Sequence, residues 1–192
     1  MMTAAREATT AKSEPQSASP FHEGDAVVYP AHGVGRIDRV GFEAIAGYWL
    51  NLIHISFEDH QMTLRVPVAQ ARAAGLRKLA TRKAMADALA ILQGRPRVSR
   101  LMWAKRSQEY LAKINTSNPR ALAEVVRDLQ SAAVGSGSFS QRNLFELALD
   151  RLGGEVAAVN RIGKPDAIAQ LNQALVQARA NSAMERQPSV DA

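Results

Sequence analysis

Residues 48–68 read YWLNLIHISFEDHQMTLRVPV, and this stretch decides the front half of the chain. From Tyr48 to Phe57 apolar and polar side chains alternate, with Ile53, Ile55 and Phe57 on one face and Asn51 opening that row. A period of two is the signature of a strand with one buried face. Glu58-Asp59-His60 makes a short charged turn. The alternation then resumes over Gln61–Val66, with Met62, Leu64 and Val66 facing one way and Gln61, Thr63 and Arg65 the other. Pro67 lacks an N–H, so it closes this strand only where a ladder donor is dispensable, which points to a sheet edge.

Working outward, Asp25–Tyr29 is β-branched and aromatic and is closed by Pro30, and Gly33–Gly41 alternates with imperfectly sorted faces. Four or five short strands between Phe21 and Val68 predict a small, strongly curved antiparallel sheet or barrel. After Val68 the pattern turns helical, punctuated by Gly75, Gly94-Arg95-Pro96, Asn118-Pro119 and Gly135-Ser136-Gly137. Asn118 followed by Pro119 is a helix start, because the Asn side chain accepts a free N–H and Pro tolerates the first helical position. Ser138 with Gln141 three residues on resembles a capping box. Beyond it Phe145, Leu149, Leu152, Val156 and Val159 form one apolar stripe at helical spacing. The expected class is therefore segregated α+β: a small antiparallel β module followed by an all-α bundle of about five helices. Residues 1–20 and 179–192 are poor in large apolar groups and are expected to be disordered tails; the β module is assigned to 21–72 and the helical module to 73–178.

The 192 residues are 46% hydrophobic and 22% charged, the balance of a globular protein. The absence of cysteine excludes disulfides, thiolate metal sites and cysteine nucleophiles. No apolar run approaches the roughly 20 residues that span a bilayer, and the N-terminus has no apolar signal core, so a cytoplasmic location without membrane contact is expected. Charge is unevenly placed. Between Arg72 and Arg120 stand twelve Lys and Arg against only Asp87 and Glu109, a net +10 in a chain whose total is +6. Such a segment attracts polyanions, with nucleic acid the foremost.

Enzymatic signals are weak. The four histidines, His22, His32, His54 and His60, show no metal-ligand spacing, and His54 in a strand reads as a hydrogen-bonded structural residue. Gly33-Val34-Gly35 lacks the third glycine and following helix of a dinucleotide site and fits a tight turn. No catalytic residues, metal site or cofactor are expected. Trp103 stands out in a basic stretch, Arg97 to Arg106, that opens a helix. On a helical wheel Trp103, Ala104, Tyr110, Leu111 and Ile114 share one arc, with Trp103 at its border beside Arg106. Periodicity leaves two readings open, a core tryptophan or an exposed ring that stacks on bases while the cations hold phosphates.

Together these residues resemble the CarD-like, or CdnL, bacterial transcription regulators. The resemblance opens at Phe21 with F-x-x-G-D-x-V-V-Y-P-x-H-G-V-G. It runs on through Ile55-Ser56-Phe57, Met62–Val68, Gly75-Leu76-Arg77, Met102-Trp103, Ala123–Leu129 and Ala148-Leu149-Asp150-Arg151, to about Asn160. The resemblance implies a Tudor-like, SH3-like N-terminal barrel that binds the RNA polymerase β subunit partly by strand addition. The matching strand here is Met62, Thr63, Leu64, Arg65, Val66 and Pro67, with Arg65 at a polymerase-contacting position. It also implies a helical domain that meets promoter DNA at the upstream edge of the transcription bubble, with Trp103 as a minor-groove wedge and Arg100, Lys105, Arg106 and Arg97 on phosphates. The implied function is stabilisation of open promoter complexes by a monomer held near the nucleoid through polymerase, with weak, largely sequence-independent DNA contact. A polymerase-bound adaptor that makes no DNA contact is the alternative. The chain departs from its relatives at Gln108, where several carry a basic residue, and at Glu43, where some carry a polymerase-contacting arginine.

Overall fold

The computed structural model describes residues 19–97, 99–135 and 137–184. Five antiparallel strands, β1 (Ala26–Tyr29), β2 (Gly33–Ile45), β3 (Tyr48–Phe57), β4 (Met62–Pro67) and β5 (Arg77–Lys78), form one sheet in the order β4-β3-β2-β1-β5. A one-turn helix, α1 (Val68–Ala71), joins β4 to the segment before β5. The helical half follows as α2 (Arg82–Ala90), α3 (Trp103–Asn115), α4 (Pro119–Asp128), α5 (Phe139–Asn160) and α6 (Lys164–Met184). The segregated α+β class is the expected one.

The alternation in β3 and β4 is realised in the row read as buried, although Leu52, on the opposite face of β3, is buried as well. Ile53, Ile55 and Phe57 are buried with Val27, Ile37, Val66 and Leu76, while Thr63 and Arg65 face solvent. Gly35 is required here by close approach, because a Cβ on it would lie 2.7 Å from Ile55 and 2.8 Å from Phe57. A register shift between Ile37 and Arg39 marks a bulge in β2, and bulges increase local twist. Ala46 and Gly47 both adopt positive φ, the geometry of a two-residue hairpin loop whose twist matches its strands.

Three boundaries differ from the sequence expectation. β2 continues past Gly41 to Ile45, pairing Phe42 with Asn51 and Ile45 with Tyr48. This arm overhangs the sheet, so it lacks the buried face that alternation reports, and Phe42, Ile45, Tyr48, Trp49 and Leu50 are exposed. The sheet also extends beyond residue 72, because Arg77 and Lys78 pair with Val28 and Val27, and two residues carry no readable period. Finally, α6 runs to Met184, into the stretch assigned to a C-terminal tail. Ala178 is buried just before that stretch, and within it Arg179 donates to the Gln130 side chain at 3.2 Å and to its carbonyl at 2.8 Å. Residues 1–18 and 185–192 of the expected tails lie outside the described residues.

The helix caps are as read. The Asn118 side chain accepts from the Arg120 N–H, and Ser138 with Gln141 forms a reciprocal capping box. The α5 stripe from Phe145 to Val159 is buried against Leu122, Val125, Val126, Leu171 and Leu175. In α3 the expected arc is narrower: Tyr110 and Ile114 are buried, but Ala104 and Leu111 are exposed. The helix lies on the bundle surface and buries a seam rather than a broad face.

The two halves are joined by three polar clamps on α5 and the start of α6. Arg77 Nη1 and Nη2 each donate to the Glu155 carboxylate at 2.7 Å, and Glu155 also accepts the Ala80 N–H at 3.1 Å. Arg151 donates to the carbonyls of Pro30 and Ala31, in the turn after β1. Lys164 Nζ lies 2.7 Å from Asp59 and 2.8 Å from Asp150.

Candidate functional site

β4 is an outer strand. All six of its residues pair with β3, from Met62 with Phe57 to Pro67 with Leu52, and its opposite side has no strand neighbour among the described residues. An unpaired strand side offers backbone donors and acceptors to an incoming strand. Val66 is buried, Met62, Leu64 and Pro67 are half-buried, and only Thr63 and Arg65 stand clear. An added strand would therefore meet the β4 main chain together with those two side chains.

Arg65 is not solitary. Its Nη1 lies 3.7 Å from Glu43, whose carboxylate also meets Arg39 and, at 3.1 Å, His54 Nε2. The structural role expected for His54 is thus realised in a cluster on the outer face of β2, β3 and β4. Sequence comparison singled out Glu43 as a departure; the structure makes it the hub on which three nitrogen-bearing side chains converge.

In the helical half, Trp103 opens α3 and is half-buried. Its Nε1–H donates to Ser140 Oγ at 3.0 Å, and its ring lies 6.4 Å from Tyr110. The Arg106 guanidinium sits 5.4 Å from the indole centroid, a cation–π arrangement, and its Nε is buried without a hydrogen-bond acceptor. The ring packs against the helical core without being fully enclosed by it. Arg100 and Lys105 are exposed on either side in the chain. Arg97 is also exposed, and its backbone N–H donates to Asp128 Oδ1 at 2.8 Å. The same oxygen takes Arg127 Nε and Nη2, both at 2.8 Å. The Arg127-Asp128 pair is therefore an internal anchor that ties the basic segment to α4. Burial raises the Tyr110 hydroxyl pKa, and nearby Asp128 adds to the rise.

The charged groups outside these surfaces serve packing. Lys113 holds the Glu124 carboxyl below its ordinary range, against the opposing pull of burial. Burial lowers the Lys164 pKa, but its hydrogen bonds to Asp150 and Asp59 outweigh that, and the net shift is upward. Asp59, in the short charged turn, and Asp150, on α5, converge on Lys164. No group of three or more His, Asp or Glu side chains could hold a metal among the described residues. Among the same residues, no helix is long and apolar enough to cross a membrane.

A CarD-like/TRCF RID domain model matches residues 21–80, and a CarD C-terminal domain model matches residues 87–172. The two follow each other in order and together span most of the chain, dividing at the end of the β sheet. The chain belongs to the CarD-like family, and its role is that of a transcription regulator. A Bacillus subtilis (strain 168) protein described as "Putative transcription factor YdeB" is 28% identical over 109 residues, 57% of this chain and 71% of that protein. The solution structure of the 72-residue N-terminal domain of Myxococcus xanthus CarD is 31% identical, with a TM-score of 0.28, over 34% of this chain and 87% of that domain.

Proposed function

We propose that the protein binds the RNA polymerase β subunit through the β4 edge and stabilises promoter open complexes through Trp103 and its neighbouring cations. The observation that carries this reading is the Trp103 corner. The ring is fixed by Ser140, half-exposed, and bordered by Arg106, within the most basic segment of the chain. An anchored aromatic costs little entropy to present to bases, while Arg100, Lys105, Arg106 and Arg97 neutralise phosphates. Two domains divide the task, residues 21–80 for polymerase and 81–184 for DNA.

The mechanism is differential binding without chemistry, as befits a family of regulators. A contact made better with melted DNA than with duplex shifts closed toward open complex by the difference in affinity and no more. One stacked base is worth about 1–3 kcal/mol, hence a shift of about 5- to 100-fold. Contact in the minor groove reads little sequence, because that groove carries a degenerate code. On this reading the protein resides where polymerase does, at the nucleoid.

The indole N–H bonded to Ser140 and the ring packed toward Tyr110 favour a second reading, an adaptor in which Trp103 is structural. The lifetime of an open complex formed by the cognate polymerase separates the two. Wild type is expected to lengthen it, and both Trp103→Ala and Arg65→Glu are expected to abolish the gain. A wild type that binds polymerase and lengthens nothing would establish the adaptor instead.

A further inference from the structure

We propose that Phe139 and Met102 join Trp103 in a composite apolar platform, so that the DNA-facing element spans α3 and α5 rather than resting on a single indole. This inference rests on the function proposed above and names further residues of the same surface. Met102 is 83% exposed and Phe139 78% exposed, more than any other large apolar side chain described in the chain. They come from segments far apart in sequence, yet one contact brings the backbones that carry them to the same corner. Met102 directly precedes Trp103, and Phe139 directly precedes Ser140, the residue that accepts the indole N–H at 3.0 Å.

The backbone that carries Phe139 is fixed on both sides. Ser138 caps α5 and accepts the Gln141 N–H, and Gln141 Oε1 in turn accepts the Ser138 N–H at 2.8 Å. The ring is thus held out on a rigid helix start, while its exposure shows that it contributes little to the core. An exposed aromatic on a rigid support, with no packing role, is what a stacking surface needs. Its surroundings select the occupant. Arg106 lies 5.4 Å from the indole centroid, and Arg100 and Lys105 are exposed in the same basic stretch, a charge that complements a phosphate backbone rather than an apolar protein face. The occupant is unpaired or unstacked promoter DNA at the edge of the bubble, with one base against each ring.

The test measures open-complex lifetime with the cognate polymerase for wild type, Trp103→Ala, Phe139→Ala and Phe139→Tyr, alongside melting temperature and polymerase affinity. The platform requires Phe139→Ala to lose at least about fivefold of the lifetime gain, with melting temperature and polymerase affinity unchanged and with Phe139→Tyr retaining the gain. A base analogue whose fluorescence reports stacking, placed at successive upstream positions, should show two protected positions with wild type and one with Phe139→Ala. If Phe139→Ala keeps the wild-type lifetime while Trp103→Ala loses it, the platform is overturned and the single wedge stands. If Trp103→Ala also keeps the wild-type lifetime, the functional reading falls, and the platform falls with it.

Discussion

The clamp between Arg77 and Glu155 makes an asymmetric prediction. Glu155 is 1% exposed, and its carboxylate is satisfied by two guanidinium N–H groups and the Ala80 N–H. The Arg77 side chain is 27% exposed and has other acceptors, the carbonyls of Ser117, at 3.0 Å from Nε, and Lys78, at 3.1 Å. Arg77→Ala therefore leaves a buried carboxylate with one donor, and removing one partner of a buried pair costs about 3–5 kcal/mol. Glu155→Leu leaves an arginine that keeps two carbonyls and partial contact with water, and orphans one N–H, at about 1–3 kcal/mol. At about 2–4 °C per kcal/mol for a chain of this size, the first lowers Tm by about 6–20 °C and the second by about 2–12 °C. The double variant Arg77→Met, Glu155→Leu should recover to within about 2 kcal/mol of wild type, since an apolar replacement of both partners removes the uncompensated charge. Urea unfolding followed by circular dichroism provides the free energies. A Glu155→Leu penalty equal to or larger than that of Arg77→Ala would refute the reasoning.

Two further outcomes are expected. Gly35→Ala should cost about 1–3 kcal/mol in the same unfolding assay, because its Cβ would stand 2.7 Å from Ile55 and 2.8 Å from Phe57, both immobile in the sheet core; a neutral result would show that this core is loosely packed. Glu124 is held below its ordinary pKa of 4.5 chiefly by the Lys113 hydrogen bond, so its contribution is fully present above pH 4.5 and fades as pH falls through the lower folded-state value. The stability gap between wild type and Glu124→Gln, small because both partners are substantially exposed, should be present at pH 7 and close toward pH 3; a gap that does not change with pH contradicts the assignment.

The parts of the fold legible in sequence are those in which local chemistry and burial agree. Ile53, Ile55 and Phe57 alternate because one face of β3 meets a core, and Asn118-Pro119 and Ser138 with Gln141 cap helices through bonds closed within a few residues. What escaped reading lacks such a local signal. Arg77 and Lys78 form a strand only because β1 is already there, and Phe42 to Ile45 pair on an arm with no core beneath it. The candidate site divides the same way. The family resemblance indicated β4 and Trp103 by position, and the alternation correctly turned Arg65 outward. Nothing near Trp103 in sequence could reveal Ser140 as its partner, nor Phe139 beside it, since 37 residues separate the two ends of that bond. Likewise the convergence of Arg39, His54 and Arg65 on Glu43 depends on strand register, which pairing alone determines.

The three polar clamps that tie α5 and α6 to the sheet have a consequence for how the molecule measures space. A flexible tether would let a second contact search a volume and would dilute it accordingly; a stiff joint presents that contact at one offset, with an effective concentration that is high where the geometry matches and negligible elsewhere. Arg151 on the Pro30 and Ala31 carbonyls, and Lys164 between Asp59 and Asp150, restrain how far the helical half can swing against the sheet that carries β4. On the function proposed above, the chain works as a caliper: whatever grips one jaw determines where along a long polymer the other jaw closes, and no sequence need be read to set the mark.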